Sequence, residues 1–208
     1  MNENEFVTPV PLDEISQSGA PARERLLSAA TALFYAEGIH SVGVDRVIQV
    51  AGVTRATLYK QFAGKEELVL AYLQGEDAGI RAIFSAATDV ESDPSALLGA
   101  VVAGIQADIA DRHTRGCPFI NAAAEYPAAG PVRSLIDEHR GWFRETLRDL
   151  ADAAGLRDAD EVAGSLVLLR DAALVGGYLD GTDRVSPAFA RTARSVIDDH
   201  RTPPTKPH

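Results

Sequence analysis

Hydrophobic and polar positions repeat with helical periods along most of the chain. Leu26, Leu27, Ala30, Leu33 and Phe34 lie at i, i+1, i+4, i+7 and i+8, which is one face of a helix. A second, short helix ends at Gly52 and has its apolar positions at Val44, Val47, Ile48 and Ala51. No segment alternates convincingly as a strand does, so the pattern predicts an all-α fold.

Longer helical patterns occupy the rest of the chain. They begin at 65 and then cover 94–111, 118–126, 131–154, 160–179 and 187–200. The segment 160–179 is apolar on nearly every side, so two of its faces are expected to be buried. One face packs against the core of the chain itself. The other packs either against more of that core or against the same helix of a second subunit, which Gly176 and Gly177 would allow to approach closely.

The short helix that ends at Gly52 and a second short helix over 55–61 fit a helix-turn-helix, because Gly52, Val53 and Thr54 form a turn of the required length between the two. The hydroxyl of Thr54 is suited to an N-cap. Leu58 and Phe62, four residues apart, are expected to anchor the second of these helices to the core. The opposite side of that helix carries Arg55, Thr57, Tyr59, Lys60 and Gln61.

Each of these polar side chains has a use in a DNA groove. Arginine pairs with guanine and glutamine with adenine, while threonine and tyrosine bond phosphate or touch a thymine methyl group. Lys65 opens the following helix, where a cation opposes the helix dipole. That position makes better sense if a phosphate from outside binds there. A short helix that simply shows polar residues to water would present the same pattern.

Charge is distributed unevenly along the chain. The net charge is −10, which argues against indiscriminate binding to nucleic acid or to an anionic membrane. Residues 21–74, however, hold six basic and five acidic side chains. An acidic protein with a slightly basic head fits selective binding of an anion at that head.

The segment 23–73 resembles the N-terminal DNA-binding region of the TetR family of bacterial transcriptional regulators. The matching features are the A…LF…G of the first helix, the run AGVTRATLYKQF, and the KEEL that follows. The resemblance implies DNA contacts at Thr54, Arg55, Thr57, Tyr59, Lys60 and Lys65. Family members often open the second helix with Thr or Ser. Gly43 and Val44 stand there in this chain, so that phosphate contact would come from a backbone N–H or from Ser41.

The resemblance also implies the organisation of the whole chain. We expect a mobile arm over 1–20, a helix-turn-helix DNA-binding domain over 21–68, a helical ligand-binding and dimerisation domain over 69–201, and a tail over 202–208. The expected protein is a cytoplasmic homodimer that binds palindromic double-stranded operator DNA and acts as a repressor released by a small effector. The segment RGCPFINAAAEYP, 115–127, looks like one found in a subset of the family.

A membrane span is not expected. The longest apolar candidate, Val162 to Leu179, is interrupted by Arg170 and Asp171.

The effector site is expected among the helices of the second domain. Effector pockets are apolar clefts with a few polar groups, so we expect an uncharged or cationic, largely apolar molecule near Trp142, Phe143 and Tyr178. The further candidates are the aromatic residues Phe84 and Tyr126, the thiol of Cys117, and the polar residues Asn121, His139 and Arg170. Each of the polar candidates fits a core or interface group at least as well.

Cys117, the single cysteine, supports an alternative function. It precedes a helix start and follows Arg112 and Arg115, surroundings that favour a thiolate. The alternative is therefore a regulator that senses oxidants or electrophiles through this thiol, although a small packed side chain is the simpler interpretation.

No catalytic or cofactor motif accompanies these features. His113, Cys117 and Asn121 are spaced by fours, but Gly116 and Pro118 interrupt any continuous helix, so the three do not share a face. Metal binding by His113, Cys117, Glu125 or His139 has no supporting spacing either. We therefore expect no enzyme, no metal site and no cofactor.

Overall fold

The computed structural model of the protein describes residues 11–17 and 19–201, and the regular structure in this part of the chain is helical. The helices are α1 (Leu12–Ile15), α2 (Ala22–Glu37), α3 (Val44–Ala51), α4 (Arg55–Gln61), α5 (Lys65–Val90), α6 (Pro94–Ala107), α7 (Pro118–Glu125), α8 (Pro131–Ala153), α9 (Ala159–Asp180) and α10 (Thr182–Asp199). A π-helical turn, Asp108–Arg112, continues α6. The predicted all-α fold is confirmed.

The chain divides into two compact units. The first comprises the described residues up to Glu76 together with Asn121–Leu135, and the second comprises Asp77–Ile120 and the described residues from Ile136 onward. The first unit therefore contains Asn121–Leu135, a segment far along the chain from the helix-turn-helix. The helical periods of the sequence do not indicate this association. The boundaries predicted at 21–68 and 69–201 stay a prediction.

The first unit is built around α2, which packs against α1, α3 and α4. Leu33 and Phe34 of α2 are buried, as are Val47 of α3 and the two predicted anchors, Leu58 and Phe62. Burial of each large apolar side chain stabilises the unit by about 1.5–3 kcal/mol. The short α4 therefore keeps its position through the side chains on its inner face.

Part of the expected N-terminal arm forms a helix. This helix is α1, which packs on α2 and α3 and buries Ile15. A single helical turn offers too few positions to show an apolar period, so the sequence pattern gave no sign of it. Residues 1–10 and 18 of the predicted arm and residues 202–208 of the predicted tail lie outside the described residues.

The turn between α3 and α4 requires a glycine. Gly52 has φ 61° and ψ 41°, the left-handed conformation that side chains with a Cβ rarely adopt. A Cβ at this position would also lie 2.9 Å from the Cβ of Ser16. Thr54 then caps α4, as predicted: its side-chain oxygen accepts a hydrogen bond from the backbone N–H of Thr57 at 3.1 Å.

In the second unit, α10 packs against α9, α6 and the π-helical turn. The predicted start of the last helix at Pro187 is wrong, because Pro187 lies inside α10. Gly181 alone separates α9 from α10, and its φ of 94° lets the chain leave one helix and enter the next at once. Pro187 therefore does not mark a helix start, whereas Gly181 marks the end of α9.

One side of α9 is buried and the other is not. Val162, Leu166 and Leu174 face the core, whereas Leu168 and Leu179 are about 70% exposed (71% and 70%). Within the described part of the chain, α9 is the one helix whose length and composition would allow it to cross a membrane, a test that core helices of soluble proteins also pass.

Candidate functional site

The outer side of α4 carries the side chains predicted to meet DNA. Thr54, Arg55, Tyr59 and Lys60 are exposed, and Thr57, Gln61 and Lys65 are partly exposed. All seven lie on α4, at its N-cap, or at the first position of α5. The structure thus leaves every residue of the predicted set at least partly exposed, while their contacts with DNA stay a prediction.

Local hydrogen bonds orient the first turn of α4. The hydroxyl groups of Thr54 and Thr57 are 2.8 Å apart and share a hydrogen bond. Nη2 of Arg55 donates to Oδ1 of Asp45, which lies in the first turn of α3. The side chains of this pair stay largely exposed, at 57% for Arg55 and 74% for Asp45. Asp45 was not among the residues that the sequence pattern singled out.

Lys65 begins α5 in a partly buried setting. Burial lowers the pKa of its amino group, and the nearby charge of Glu125 raises it again in part. The N-cap residue of α3 is Gly43, which has no side chain, and no side-chain hydrogen bond caps that helix. The expectation that a backbone N–H or Ser41 replaces the family's Thr or Ser contact stays a prediction.

Glu125 is an important residue of the first unit that sequence reasoning missed. Its Oε1 accepts a hydrogen bond from the backbone N–H of Ile39 at 2.8 Å, and its Oε2 accepts one from the N–H of His40. The His40 Nδ1 lies 3.0 Å from the same Oε2, and the ring of Tyr126 stacks on His40. Since 86 residues separate Glu125 from Ile39, no local pattern signals this contact.

Four of the predicted effector residues meet in an aromatic cluster in the second unit. Phe84 contacts Trp142 and Phe143 edge to face, with ring centroids 5.4 and 5.9 Å apart. His139 completes the group and stacks flat on Phe119, with centroids 3.7 Å apart. We call these five residues the aromatic cluster.

Charged groups border this cluster. Nδ1 of His139 lies 2.7 Å from Oδ1 of Asp77, and the other carboxylate oxygen accepts from Nε of Arg81 at 2.7 Å. Burial alone would raise the pKa of Asp77, but the hydrogen bonds with Arg81 and His139 outweigh it and lower that pKa. Burial lowers the pKa of His139, with its Asp77 hydrogen bond opposing the shift. The guanidinium of Arg81 lies over the Trp142 ring at 4.1 Å.

Arg170 is the most buried cation of this region, at 4% exposure. Its guanidinium lies 5.0 Å from the centre of the Phe143 ring, and its Nη1 donates to the sulfur of Cys117 at 3.8 Å. The nearest carboxylate oxygen, Oδ1 of Asp171, is 3.5 Å away, while Arg140 donates to the other oxygen of Asp171 at 2.7 Å. Burial alone would raise the pKa of the Asp108 carboxyl, but the hydrogen bond and charge of His113, and after them the charge of Arg170, lower that pKa.

The other predicted effector residues lie elsewhere. Asn121 and Tyr126 belong to the first unit. Tyr178 is 55% exposed on α9, and no ring contact within the described residues joins it to the aromatic cluster. Cys117 is 1% exposed, next to Arg170. A separate surface depression of about 600 Å³ is lined by five carboxylates and Arg148, so it does not suit an apolar effector.

A short helix held by buried apolar anchors, preceded by a glycine turn and showing polar side chains outward, defines a helix-turn-helix DNA-binding transcription regulator. A family model described as "Bacterial regulatory proteins, tetR family" matches residues 26–72. A TetR-family transcriptional regulator from Streptomyces coelicolor is 44% identical in sequence, and its crystal structure superposes with a TM-score of 0.83 over 86% of this chain and 95% of that one. The chain belongs to the TetR family of bacterial transcriptional regulators.

Two curated relatives extend the comparison. The transcriptional regulator LmrA of Bacillus subtilis is 25% identical over 154 residues, which are 70% of this chain and 82% of LmrA. The transcriptional activator FasR of Mycolicibacterium smegmatis is 44% identical over 52 residues, and the match spans only 24% of FasR. The likeness to FasR is therefore confined to about a quarter of each protein.

Proposed function

We propose that this regulator is a homodimeric repressor that binds a palindromic operator and is released by a small, largely apolar effector. The observation that carries the proposal is the polar outer side of α4, which buried Leu58 and Phe62 hold in place. A recognition helix of this kind enters the major groove and contacts base edges with its N-terminal residues.

The side chains of this surface fall into two groups by chemistry: some can recognise a base, and the others can bind a phosphate. Arg55 can fork onto a guanine and Gln61 onto an adenine, whereas Thr57 and Tyr59 suit phosphate or a thymine methyl group. Lys60 and Lys65 act as point charges for phosphates. The hydroxyl of Thr54 already serves its own helix, so its contact with DNA would share that oxygen.

The exposed side of α9 supports the homodimer. Leu168, Val175 and Leu179 are exposed at spacings of seven and four residues, which places them on one stripe of the helix. An apolar stripe of this kind marks an interaction surface, and a second copy of the chain supplies an equal stripe. Two copies then present two copies of α4, which matches the two half-sites of a palindrome.

Repression is the simplest outcome of operator binding, because an occupied site excludes other proteins from the same DNA. FasR is named an activator, so transcription from a promoter that contains the operator needs to be measured for change in either direction.

The aromatic cluster is the proposed effector site. It provides an apolar surface, and His139 adds a polar group within it. Arg81 and Arg170 lie over two of its rings, so the structure favours an effector with an acceptor or acid group over the cation that the sequence pattern allowed. To release DNA, the effector must prefer a dimer geometry that no longer matches the half-site spacing. Couplings of about 1–3 kcal/mol are typical of such linkage.

The thiol-responsive alternative depends on the contact between Cys117 and Arg170, through which a change at the sulfur would reach a buried guanidinium. Burial of Cys117 restricts access to oxidants. The alternative would take over if an oxidant released operator DNA from the wild-type protein and Cys117→Ser abolished that response.

Selection of bound sequences from a random duplex pool tests the proposed function. We expect one enriched palindrome with half-sites about 34–36 Å, or a multiple, apart. Sedimentation should then find an even number of chains on each duplex. A pool without enrichment, or a single chain bound tightly to one half-site, would contradict the proposal.

A further inference from the structure

The ion pair between Arg55 and Asp45 joins the first turn of α4 to the first turn of α3. The first turn of α4 contains no acidic residue, so the carboxylate beside Arg55 comes from the other helix of the motif. Both helices are fixed to each other by the turn at Gly52 and by the buried core of the unit. Asp45 therefore meets Arg55 from a rigid position.

We propose that Asp45 is a specificity-determining residue. It positions the guanidinium of Arg55 for hydrogen bonds to a base edge and disfavours the binding of that guanidinium to a phosphate. This inference rests on the proposed reading of DNA by α4. Asp45 is a positioning residue, since it acts through Arg55 and needs no contact with DNA itself.

The stereochemistry of the guanidinium supports this role. Arginine has five N–H donors in one plane, arranged as two edges that can each form a bidentate pair. The carboxylate takes a single donor, on Nη2, and so leaves one two-donor edge intact. A guanine needs one such edge, which means that Arg55 can keep its bond to Asp45 while it reads the base.

Charge supports the same role. A phosphate that approached Arg55 would also approach the carboxylate of Asp45, because the two side chains are hydrogen-bonded and both are exposed. Like charges repel, so the carboxylate lowers the attraction of Arg55 for phosphate at every DNA sequence. Guanine, which offers neutral acceptors, is affected less. The pair therefore lowers the affinity for DNA of any sequence and increases the discrimination between bases.

The test compares variants of the full-length chain on two duplexes, the operator selected from the random pool and a scrambled duplex of the same composition. The specificity ratio is the affinity for the operator divided by that for the scrambled duplex. We expect Asp45→Asn to bind the scrambled duplex more tightly and to lower the specificity ratio by about twofold to fivefold, the range that exposed ion pairs produce. Its salt dependence between about 50 mM and 200 mM should steepen by about one unit of slope, because Arg55 becomes free for a phosphate.

Two comparisons separate this role from a general effect of charge. Glu37→Gln removes one exposed acid from the same unit and should leave the specificity ratio unchanged. When Arg55 is already replaced by Ala, Asp45→Asn should no longer lower the specificity ratio. Asp45→Glu, which keeps the carboxylate, should retain most of the specificity ratio.

An unchanged specificity ratio in Asp45→Asn would overturn the inference, as would the same change in Glu37→Gln. A lowering of the specificity ratio by Asp45→Asn that persists without Arg55 would also overturn it, because Asp45 would then act by another route. If the wild-type protein enriches no sequence at all, both the proposed function and this inference fail. Failure of the inference alone shows only in the comparison of variants.

Discussion

The charged side chains at the two candidate sites of this chain differ in their exposure to solvent. In the first unit, Arg55 and Asp45 pair in the open, with more than half of each side chain exposed. In the second unit, the charged side chain of Arg170 is almost completely buried, at 4% exposure. Exposed charges on a rigid apolar support remain available to a partner that brings charges of its own. A buried charge depends on its neighbours within the fold.

The largest effect is expected from a substitution of Leu58, the buried side chain that holds α4 in position. We expect Leu58→Ala to lower the free energy of unfolding by about 2–5 kcal/mol, because it leaves a cavity under α4. Operator binding should weaken as α4 loses its position. Chemical denaturation followed by circular dichroism measures the first effect, and an operator gel shift measures the second.

A matched control for that substitution is Val90→Ala at the exposed end of α5, where the change in stability should stay within about 0.5 kcal/mol. Equal effects of the two substitutions would show that Leu58 does not support the reading helix.

Glu125 should have the next largest effect, because it satisfies backbone donors of the first unit. Glu125→Gln replaces one of the two carboxylate oxygens with an NH₂ group, which cannot accept a hydrogen bond. The backbone N–H of either Ile39 or His40 then loses its acceptor, and the free energy of unfolding should fall by about 1–3 kcal/mol. Hydrogen exchange of the two backbone amides should quicken. Glu138→Gln, at an exposed position of α8, should change neither quantity. If both variants behaved alike, the Glu125 contact would be unimportant.

These two residues also show what a single sequence can predict. Leu58, Phe62 and the Thr54 cap follow from spacing within a few residues, and the structure places all of them as expected. Glu125 reaches Ile39 from 86 positions away, and the first-unit membership of Asn121 and Tyr126 is equally non-local. Helical periods carry no information on contacts between distant segments, so the exposed side of α4 was predictable and the membership of the aromatic cluster only in part.

A third prediction concerns the charge of the effector. Naphthylacetate and naphthylacetamide share an aromatic body, and they differ in the group that could meet Arg170 or Arg81. We expect the carboxylate to bind about tenfold more tightly than the amide, measured by the fluorescence of Trp142, the single tryptophan of the chain. Arg170→Met should remove this preference, whereas the surface control Arg148→Gln should keep it.

Binding of the two compounds with equal affinity would contradict the proposed role of the arginines. Operator DNA should weaken carboxylate binding by the same factor by which the carboxylate weakens operator binding. A compound whose affinity is unaffected by operator is not the effector.

The smallest effect is expected from pH in the second unit. Because burial lowers the folded-state pKa of His139, the unfolded chain takes up the proton first as the pH falls. Stability should therefore decline as the pH drops below about 6.5, the ordinary value for histidine. The lowered pKa of Asp77 acts in the same direction, but its contribution should be lost only below about pH 3.9.

Thermal melts of the wild type and His139→Gln at a series of pH values measure this effect. The variant should lose part of the decline near pH 6, while His200→Gln, whose Nδ1 bonds a carbonyl of its own helix, should retain it. A melting temperature that rose with acidity, or identical pH profiles for wild type and His139→Gln, would show that His139 is not the responsible group.

The most direct test of the contrast between the units is to repeat the selection from a random duplex pool with three proteins side by side: the wild type, Arg55→Ala in the first unit, and Arg170→Met in the second. If exposed side chains of α4 read the operator, Arg55→Ala should lose the preference at one base pair of each half-site, and Arg170→Met should enrich the wild-type palindrome unchanged. An altered palindrome with Arg170→Met, or an unaltered one with Arg55→Ala, would contradict the account.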